Sequence, residues 1–224
     1  MARYGVLGTG TVGRTIATKL IELGHEVRMG SRQAGGEKAT EWAAEAGERA
    51  SEGDFAAAAE FGEVVVNATA GTASLAALEQ AGPPNLAGKV LLDIANPLDF
   101  SGGMPPTLGF VNDTSLGEEI QTALPDARVV KALNTVNASV MVDPSQLAEP
   151  TDVFVCGNDD LAKEEVALLL AEFGWERDRI RDLGDIASAR GPEMYLPLWL
   201  RTMNATGTPA FNVRIVGEQG SDPL

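Results

Sequence analysis

The chain has 224 residues, with 32 acidic side chains against 17 basic ones and a net charge of −15. That balance argues against nucleic acid and anionic membrane surfaces as partners, since both are recognised by basic surfaces. A chain of this length fits one large domain with at most a small appendage, and it should bury roughly 70% of its unfolded surface without staples. The single cysteine, Cys156, permits no internal disulfide, which suits a reducing compartment. Met1 to Tyr4 lead straight into the first apolar run, leaving no room there for a signal peptide. No apolar run nears the ~20 residues that cross a bilayer.

Residues 3–7 read as a strand and 11–24 as a helix, with Val12, Ile16, Leu20 and Leu23 on one face and Gly24 as its stop. Between them stands Gly8-Thr9-Gly10-Thr11-Val12-Gly13, a G-x-G-x-x-G. Gly8 allows the tight turn, Gly10 lets a pyrophosphate approach the backbone, and Gly13 lets the helix pack near the strand. The free N–H groups and the positive end of the helix dipole then face the phosphates. Glu26 to Met29 is the second strand, and Gly30-Ser31-Arg32 leaves its carboxyl end. An acid there would bind the ribose hydroxyls of NAD, but residues 29–34 contain none. Ser31, Arg32 and Lys38 offer donors instead, which suits the 2′-phosphate of NADP.

Residues 37–47 read as a helix rich in Ala and Glu, 49–51 as a weak strand and 54–60 as a short helix. Glu63 to Asn67 is a strand whose Val64-Val65-Val66 does not alternate, the mark of a strand covered on both faces. The small residues of Asn67-Ala68-Thr69-Ala70-Gly71 let a flat cofactor lie against the backbone. Lys89 to Ile94 is the next strand. Residues 99–114 form a Gly/Pro-rich loop without periodicity, and its length suits a lid. Residues 115–123 read as a short helix capped by Ser115, with Glu118 three positions on. Ala127 to Leu133 and Asp152 to Cys156 are strands, and 160–173 is an amphipathic helix. Ile186 to Met203 carries an apolar surface too wide for a solvent-facing helix, expected to bury against the sheet edge and a second subunit. Phe211 to Val216 reads as a last strand-like run.

This order predicts an α/β protein, a Rossmann-type doubly wound parallel sheet with a small C-terminal helical appendage. The division expected is 1–183 for an NADP-binding domain. Residues 184–224 would complete a second-substrate pocket and a dimer interface.

The chain has no G-x-S-x-G, no P-loop and no Cys/His cluster, so no metal is expected. His25, the sole histidine, falls in the loop at the sheet end away from the cofactor. Cys156 reads as a buried small side chain, and Asp93 and Asp182 as isolated structural acids. Lys131 lies within a strand and needs an internal ion-pair partner. Oxidising an alcohol requires a general base. Hydride transfer between a nicotinamide and a flavin-like ring requires mainly alignment. The lack of an evident acid–base residue favours the second reaction, and no side chain is assigned as catalytic.

Six segments fall in a familiar order. They are Gly8-Thr9-Gly10, Gly30-Ser31-Arg32, Asn67-Ala68-Thr69, Asp93-Ile94-Ala95-Asn96-Pro97, Val130 to Thr135 and Phe154 to Asp159. With Gly184-Asp185-Ile186, Ala189-Arg190 and Pro197-Leu198-Trp199, they resemble NADP oxidoreductases dependent on the deazaflavin coenzyme F420. The resemblance implies NADP(H) as cofactor, F420 or a flavin as the second ring, and a cytoplasmic homodimer. It implies that Thr9, Gly10, Thr11 and Val12 hold the pyrophosphate and that Ser31, Arg32 and Lys38 hold the 2′-phosphate. Thr69, Ala70, Asn96, Pro97, Asn134 and Thr135 would line the nicotinamide end. Archaeal members tend to have His where this chain has Asn134. The same NADPH domain resembles the cytoplasmic part of membrane ferric reductases, which pass hydride to a flavin. Two other readings stay open: an NADPH-dependent reductase of a small substrate, and a non-catalytic NADP-sensing protein without a pocket beside the nicotinamide.

Overall fold

The computed structural model describes residues 1–217. The first half alternates strand and helix. β1 (Arg3–Leu7) leads to α1 (Thr11–Glu22), β2 (Glu26–Ser31) to α2 (Glu37–Ala46), and β3 (Ala50–Asp54) to α3 (Phe55–Phe61). β4 (Val64–Asn67) is followed by α4 (Gly71–Ala81), the single turn α5 (Pro83–Leu86) and β5 (Val90–Asp93). The loop expected at 99–114 folds partly into an antiparallel ribbon, β6 (Leu98–Asp99) with β7 (Thr107–Leu108). Then come α6 (Leu116–Ala123), β8 (Arg128–Ala132), the short α7 (Ala138–Val142), β9 (Val153–Gly157), α8 (Asp160–Glu172) and β10 (Ile180–Asp182). The chain ends in a 3-10 turn (Ile186–Ala189), α9 (Arg190–Met194) and α10 (Leu196–Thr206).

The strand order is β10-β9-β8-β5-β4-β1-β2-β3. From β3 to β8 all pairs are parallel, in the arrangement of two mononucleotide-binding halves that meet between β1 and β4. The doubly wound parallel sheet is as expected, with one addition at its edge: β9 pairs antiparallel with β8, and β10 then runs parallel to β9. The connection from β8 to β9 carries only the 5-residue α7 and one 3-10 turn. It has no full crossover helix of the kind that parallel neighbours use.

Each face of the sheet has its own core, which explains the unbroken valines of β4. Val64 and Val66 join Val6, Ile16, Leu20 and Phe173 beneath α1, α7 and α8. Val65 points the other way, among Leu7, Phe55, Leu78, Leu91 and Ile120 beneath α3, α4 and α6. Ser115 caps α6 as expected, accepting the Glu118 N–H while its hydroxyl donates to the Glu118 carboxylate.

Two buried carboxylates help to hold the tail. Within α9, Glu193 is buried and accepts the backbone N–H groups of Leu116 (2.7 Å) and Gly117 (3.0 Å) at the start of α6. Further on, the fully buried Asp152 accepts the Arg181 Nε–H at 2.8 Å and the Ile215 N–H, and its own N–H donates to Val213 O. Phe211 to Val216 is therefore no strand. A buried carboxylate takes the place of ladder partners and pins this run without a second edge. Between the two pins α10 buries only Leu196, and Leu198 stays 62% exposed. The tail thus packs less closely than its apolar pattern predicts. Among the described residues no helix is long and apolar enough to cross a membrane.

Candidate active site

The crevice opens where the strand order reverses, at the carboxyl ends of β1 and β4. Gly8 takes a φ of 116°, and a Cβ there would stand 2.6 Å from the Ala68 carbonyl oxygen. At Gly13 it would meet the Gly8 carbonyl oxygen at 2.1 Å, so strand and helix can touch only through glycine. Gly10 differs, for a Cβ there would meet nothing within 4 Å. Gly10 is also the N-cap of α1 and makes no side-chain cap. The first-turn N–H groups of α1 therefore face open space, the donor set a pyrophosphate needs.

A cleft of 720 Å³ runs from Gly8, Thr9 and Gly10 to Ser31 and Arg32. Ser31 Oγ donates to the Gln33 carbonyl at 2.6 Å, which turns the loop after β2. Arg32 is exposed at the rim, and its guanidinium engages no other group among the described residues. Lys38 lies on the exposed side of α2, outside the residues that line the cleft. Gln33, Gly36 and Gln80 also line it, and the sequence had not singled them out. Their polar or small character in surface loops and helices carries no pattern of its own.

A second cavity of 360 Å³ adjoins the first across Ala68, Thr69 and Ala70, which line both. Its walls bring Thr11 and Val12 together with Asn96 and Asn134. Leu98 and Phe100 enter from the β6 end, and Leu196 and Trp199 from the tail. Pro97 and Thr135 are buried behind this wall and do not line the cavity. Among the described residues, none of the side chains that line it is ionisable.

Asn134 is placed by a local conformation that few residues tolerate. Leu133 has a φ of 63°, a left-handed value that costs a branched side chain on the order of 1–3 kcal/mol. The turn it makes closes two reciprocal bonds. Asn134 Nδ2 donates to Asn96 Oδ1 at 2.9 Å, and Asn96 Nδ2 donates to the Asn134 carbonyl at 2.8 Å. The two amides thus fix each other at the ends of neighbouring strands.

Beneath this wall lies a buried network. Thr69 Oγ1 donates to Asn67 Oδ1 at 2.7 Å, and Asn67 Nδ2 donates to Asp93 Oδ1 at 2.8 Å. Lys131 Nζ stands 2.8 Å from both Asp93 Oδ2 and Glu193 Oε1, with all three side chains at most 1% exposed. Burial pushes the Lys131 ammonium downward, but the two carboxylates outweigh it and hold its pKa above the ordinary lysine value. Lys131 has the internal partner that its position demands. Asp93 is isolated only along the chain, since the fold pairs it with Lys131. Asp182 likewise pairs with Lys163 at 2.8 Å. Glu193 was the unforeseen member. Its signal was a lone acid inside the apolar run from Pro192 to Leu200.

Two side chains are set apart from the crevice. Burial pushes the Cys156 thiol up to about 12, so it is no nucleophile at neutral pH. His25 is buried in its loop, where Nδ1 accepts the Ala2 N–H and Nε2 lies 2.9 Å from Glu172. Among the described residues no group of three or more His, Cys, Asp or Glu could hold a metal ion.

The fold, the glycine turn and the cleft define a dinucleotide-binding α/β protein of the Rossmann class. The family described as NADP oxidoreductase coenzyme F420-dependent matches residues 3–97. An F420-dependent NADP reductase of Methanocaldococcus jannaschii is 32% identical over 201 residues, which cover 85% of this chain and 87% of the relative. A crystal structure of a candidate F420-dependent NADP-reductase from Arthrobacter sp. FB24 shares 52% identity at a TM-score of 0.91, covering 97% of this chain and all of that one. The metalloreductase STEAP3 of Rattus norvegicus is 29% identical over 209 residues, and this chain spans only 38% of its length. The chain belongs to the family of F420-dependent NADP oxidoreductases.

Proposed function

We propose that the protein transfers hydride between NADP(H) and the deazaflavin coenzyme F420. One observation carries this reading: among the described residues, the cavity beside the nucleotide cleft is lined by no ionisable side chain. Reduction of a carbonyl or imine would call for a proton donor there. Two stacked rings need only to be held in place, and alignment alone can lower a barrier by ~7–11 kcal/mol. Such cofactors supply the hydride chemistry themselves.

The work left to the chain is binding and orientation. The N–H groups after Gly10 hold the pyrophosphate, and Ser31 with Arg32 holds the 2′-phosphate. Lys38 adds a longer-range positive charge from α2. Asn96 and Asn134 present amides to the nicotinamide carboxamide, and Thr69 and Ala70 form the floor. Leu98, Phe100, Leu196 and Trp199 exclude water from the facing ring.

Residues 1–183 supply the nucleotide half in this reading, and 184–224 the far wall and a homodimer interface; 218–224 lie outside the described residues. The exposed Leu198 and Val216 support the dimer, since such apolar surface marks an interface. Light scattering should give twice 23.4 kDa. The lone buried thiol supports a cytoplasmic location.

The test is anaerobic oxidation of NADPH against F420, FMN, FAD, a ferric chelate and a cyclic imine. Turnover is expected with F420. Turnover with the imine alone would replace this reading by a small-substrate reductase. Tight NADPH binding with no acceptor would leave a sensing protein.

A further inference from the structure

The segment that carries Arg32 has little of its own to hold it. Residues 32–36 link β2 to α2 and belong to no strand or helix. α2 starts at Gly36 without a side-chain cap. A long side chain such as arginine has many rotamers, so its guanidinium is aimed only as well as the backbone beneath it is fixed.

The fixing comes from the neighbouring strand. β2 and β3 pair in parallel, with Met29 opposite Glu52 and Ser31 opposite Asp54. Asp54 is spent on α3, where its Oδ1 accepts the Ala57 N–H at 2.8 Å. Glu52 shares a sheet face with Met29, which packs with Ala39 and Trp42 of α2. Its carboxylate therefore emerges on the side where α2 begins, and Oε2 accepts the Gly35 N–H at 2.9 Å. Among the described residues no ion pair involves Glu52, so its charge serves this backbone group. Gly35 has a φ of 74°, a left-handed value that makes it the most permissive point of the loop. On either side the loop is closed by its own contacts. The Ser31 hydroxyl donates to the Gln33 carbonyl, and the Gly36 carbonyl accepts the Ala39 N–H at 2.9 Å. A Cβ at Gly36 would stand 3.0 Å from Ser31 Oγ, so the loop folds back onto the serine.

We propose that Glu52 is a positioning residue for nucleotide specificity: it fixes the loop at Gly35 and through the loop aims Arg32 at the 2′-phosphate. The inference rests on the phosphate-clamp reading above. In an NAD site an acid at the end of β2 meets the ribose hydroxyls directly. Here the acid comes from β3 and is turned to the loop backbone, where it serves the phosphate instead of excluding it. Its negative charge also repels the phosphate. That repulsion is screened over about 8 Å at physiological ionic strength. The hydrogen bond to a charged acceptor acts at contact and is not screened in this way, so the bond wins except at low salt.

The experiment is isothermal titration of NADPH and NADH into the native protein, Glu52→Ala, Glu52→Gln, Arg32→Ala and the Glu52→Ala, Arg32→Ala pair. Glu52→Ala should weaken NADPH about 3- to 10-fold, the loss of one hydrogen bond, and leave NADH within about twofold. The retained NADH binding also shows that the variant folds. Glu52→Gln keeps an acceptor for Gly35 without the charge, so NADPH should return to within about threefold of native, and lowering the salt should favour this variant over the native protein. In the Arg32→Ala background Glu52→Ala should cost under about twofold, because no guanidinium is left to aim. Equal losses of both nucleotides in Glu52→Ala would make Glu52 part of the scaffold and overturn the inference. A full loss that persists without Arg32, or a Gln as damaging as the Ala, would overturn it too. Suppose Arg32→Ala weakens NADPH alone while Glu52→Ala changes nothing. The clamp then stands and the positioning role is refuted. If Arg32→Ala weakens both nucleotides equally, the clamp reading itself has failed and the role of Glu52 falls with it.

Discussion

The two halves of the crevice are built on opposite principles. The nucleotide cleft exposes its chemistry: open N–H groups at Gly10 and, at the rim, an Arg32 that engages no other group among the described residues. The neighbouring cavity has no charge among the described residues of its lining, and the charges beneath it are locked in the Asp93–Lys131–Glu193 cluster. An anionic ligand is held by donors left without internal partners. A flat ring is held by walls whose polar groups satisfy one another. The contrast teaches where a change will be felt: substitutions in the cleft should alter one affinity, whereas those beneath the cavity should alter the whole molecule.

The largest effect should come from the buried cluster. Lys131→Met leaves two carboxylates facing each other without a counter-charge, and removing one partner of a buried pair costs about 3–5 kcal/mol. Urea titration should report a loss in that range, with Glu193→Gln milder because Lys131 keeps Asp93. Should Lys131→Met instead fold normally and bind NADPH yet lose all turnover, Lys131 would be a proton-transfer group and ring-to-ring transfer would be abandoned.

Next comes the cleft. Arg32→Ala should weaken NADPH by ~1.5–3 kcal/mol, roughly 10- to 150-fold, and leave NADH nearly unchanged. Isothermal titration with both nucleotides decides this, and equal losses would move the 2′-phosphate site elsewhere.

A somewhat smaller loss is expected at the cavity wall. Asn134→Ala removes one amide of the reciprocal pair and should slow turnover about 10- to 100-fold through misalignment. The pH–rate profile should keep its shape, because an amide does not titrate. A profile that gains or loses a limb would refute the charge-free character of this wall.

The smallest effect lies outside both halves, at Glu118. The Arg190 guanidinium, helped by the Ser115 hydroxyl, holds its carboxyl below the ordinary value of 4.5. A lowered folded pKa gives stability that is present above the ordinary value and lost as pH falls through the folded one. The gap between the native protein and Glu118→Gln should thus be constant above about pH 5 and shrink below it. For a partly exposed pair it should stay under ~1 kcal/mol. Thermal melts from pH 3 to 7 would show it.

The same contrast governs what could be read in advance. The cleft comes from short contiguous stretches, Gly8 to Gly13 and Ser31-Arg32, whose residue types follow directly from turn geometry and phosphate chemistry. Lys38 joins that group through its charge and its place one turn into the next helix, and it stands outside the residues that line the cleft. The cavity is assembled from β4, β5, β8, the ribbon and the tail, so no local pattern reports it. Asn96 and Asn134 pair across 38 positions. Leu133 gives no hint of a left-handed turn, since its side chain disfavours one. The antiparallel β9 was equally hidden, because an apolar run carries no direction. Phe211 to Val216 has strand composition, but the buried Asp152 supplies the partner that a neighbouring strand would otherwise provide.

The two pins of the tail have a consequence for how such a protein can change over time. Glu193 and Asp152 tie the chain down on either side of α10, and the helix between them buries one side chain. Mutations between the pins are thereby insulated from the folding of the sheet. The segment that carries Trp199 can drift, and the shape of the cavity with it, while nucleotide recognition stays intact. New acceptors could be explored by rewriting about ten residues of one surface helix, without passing through an unfolded ancestor.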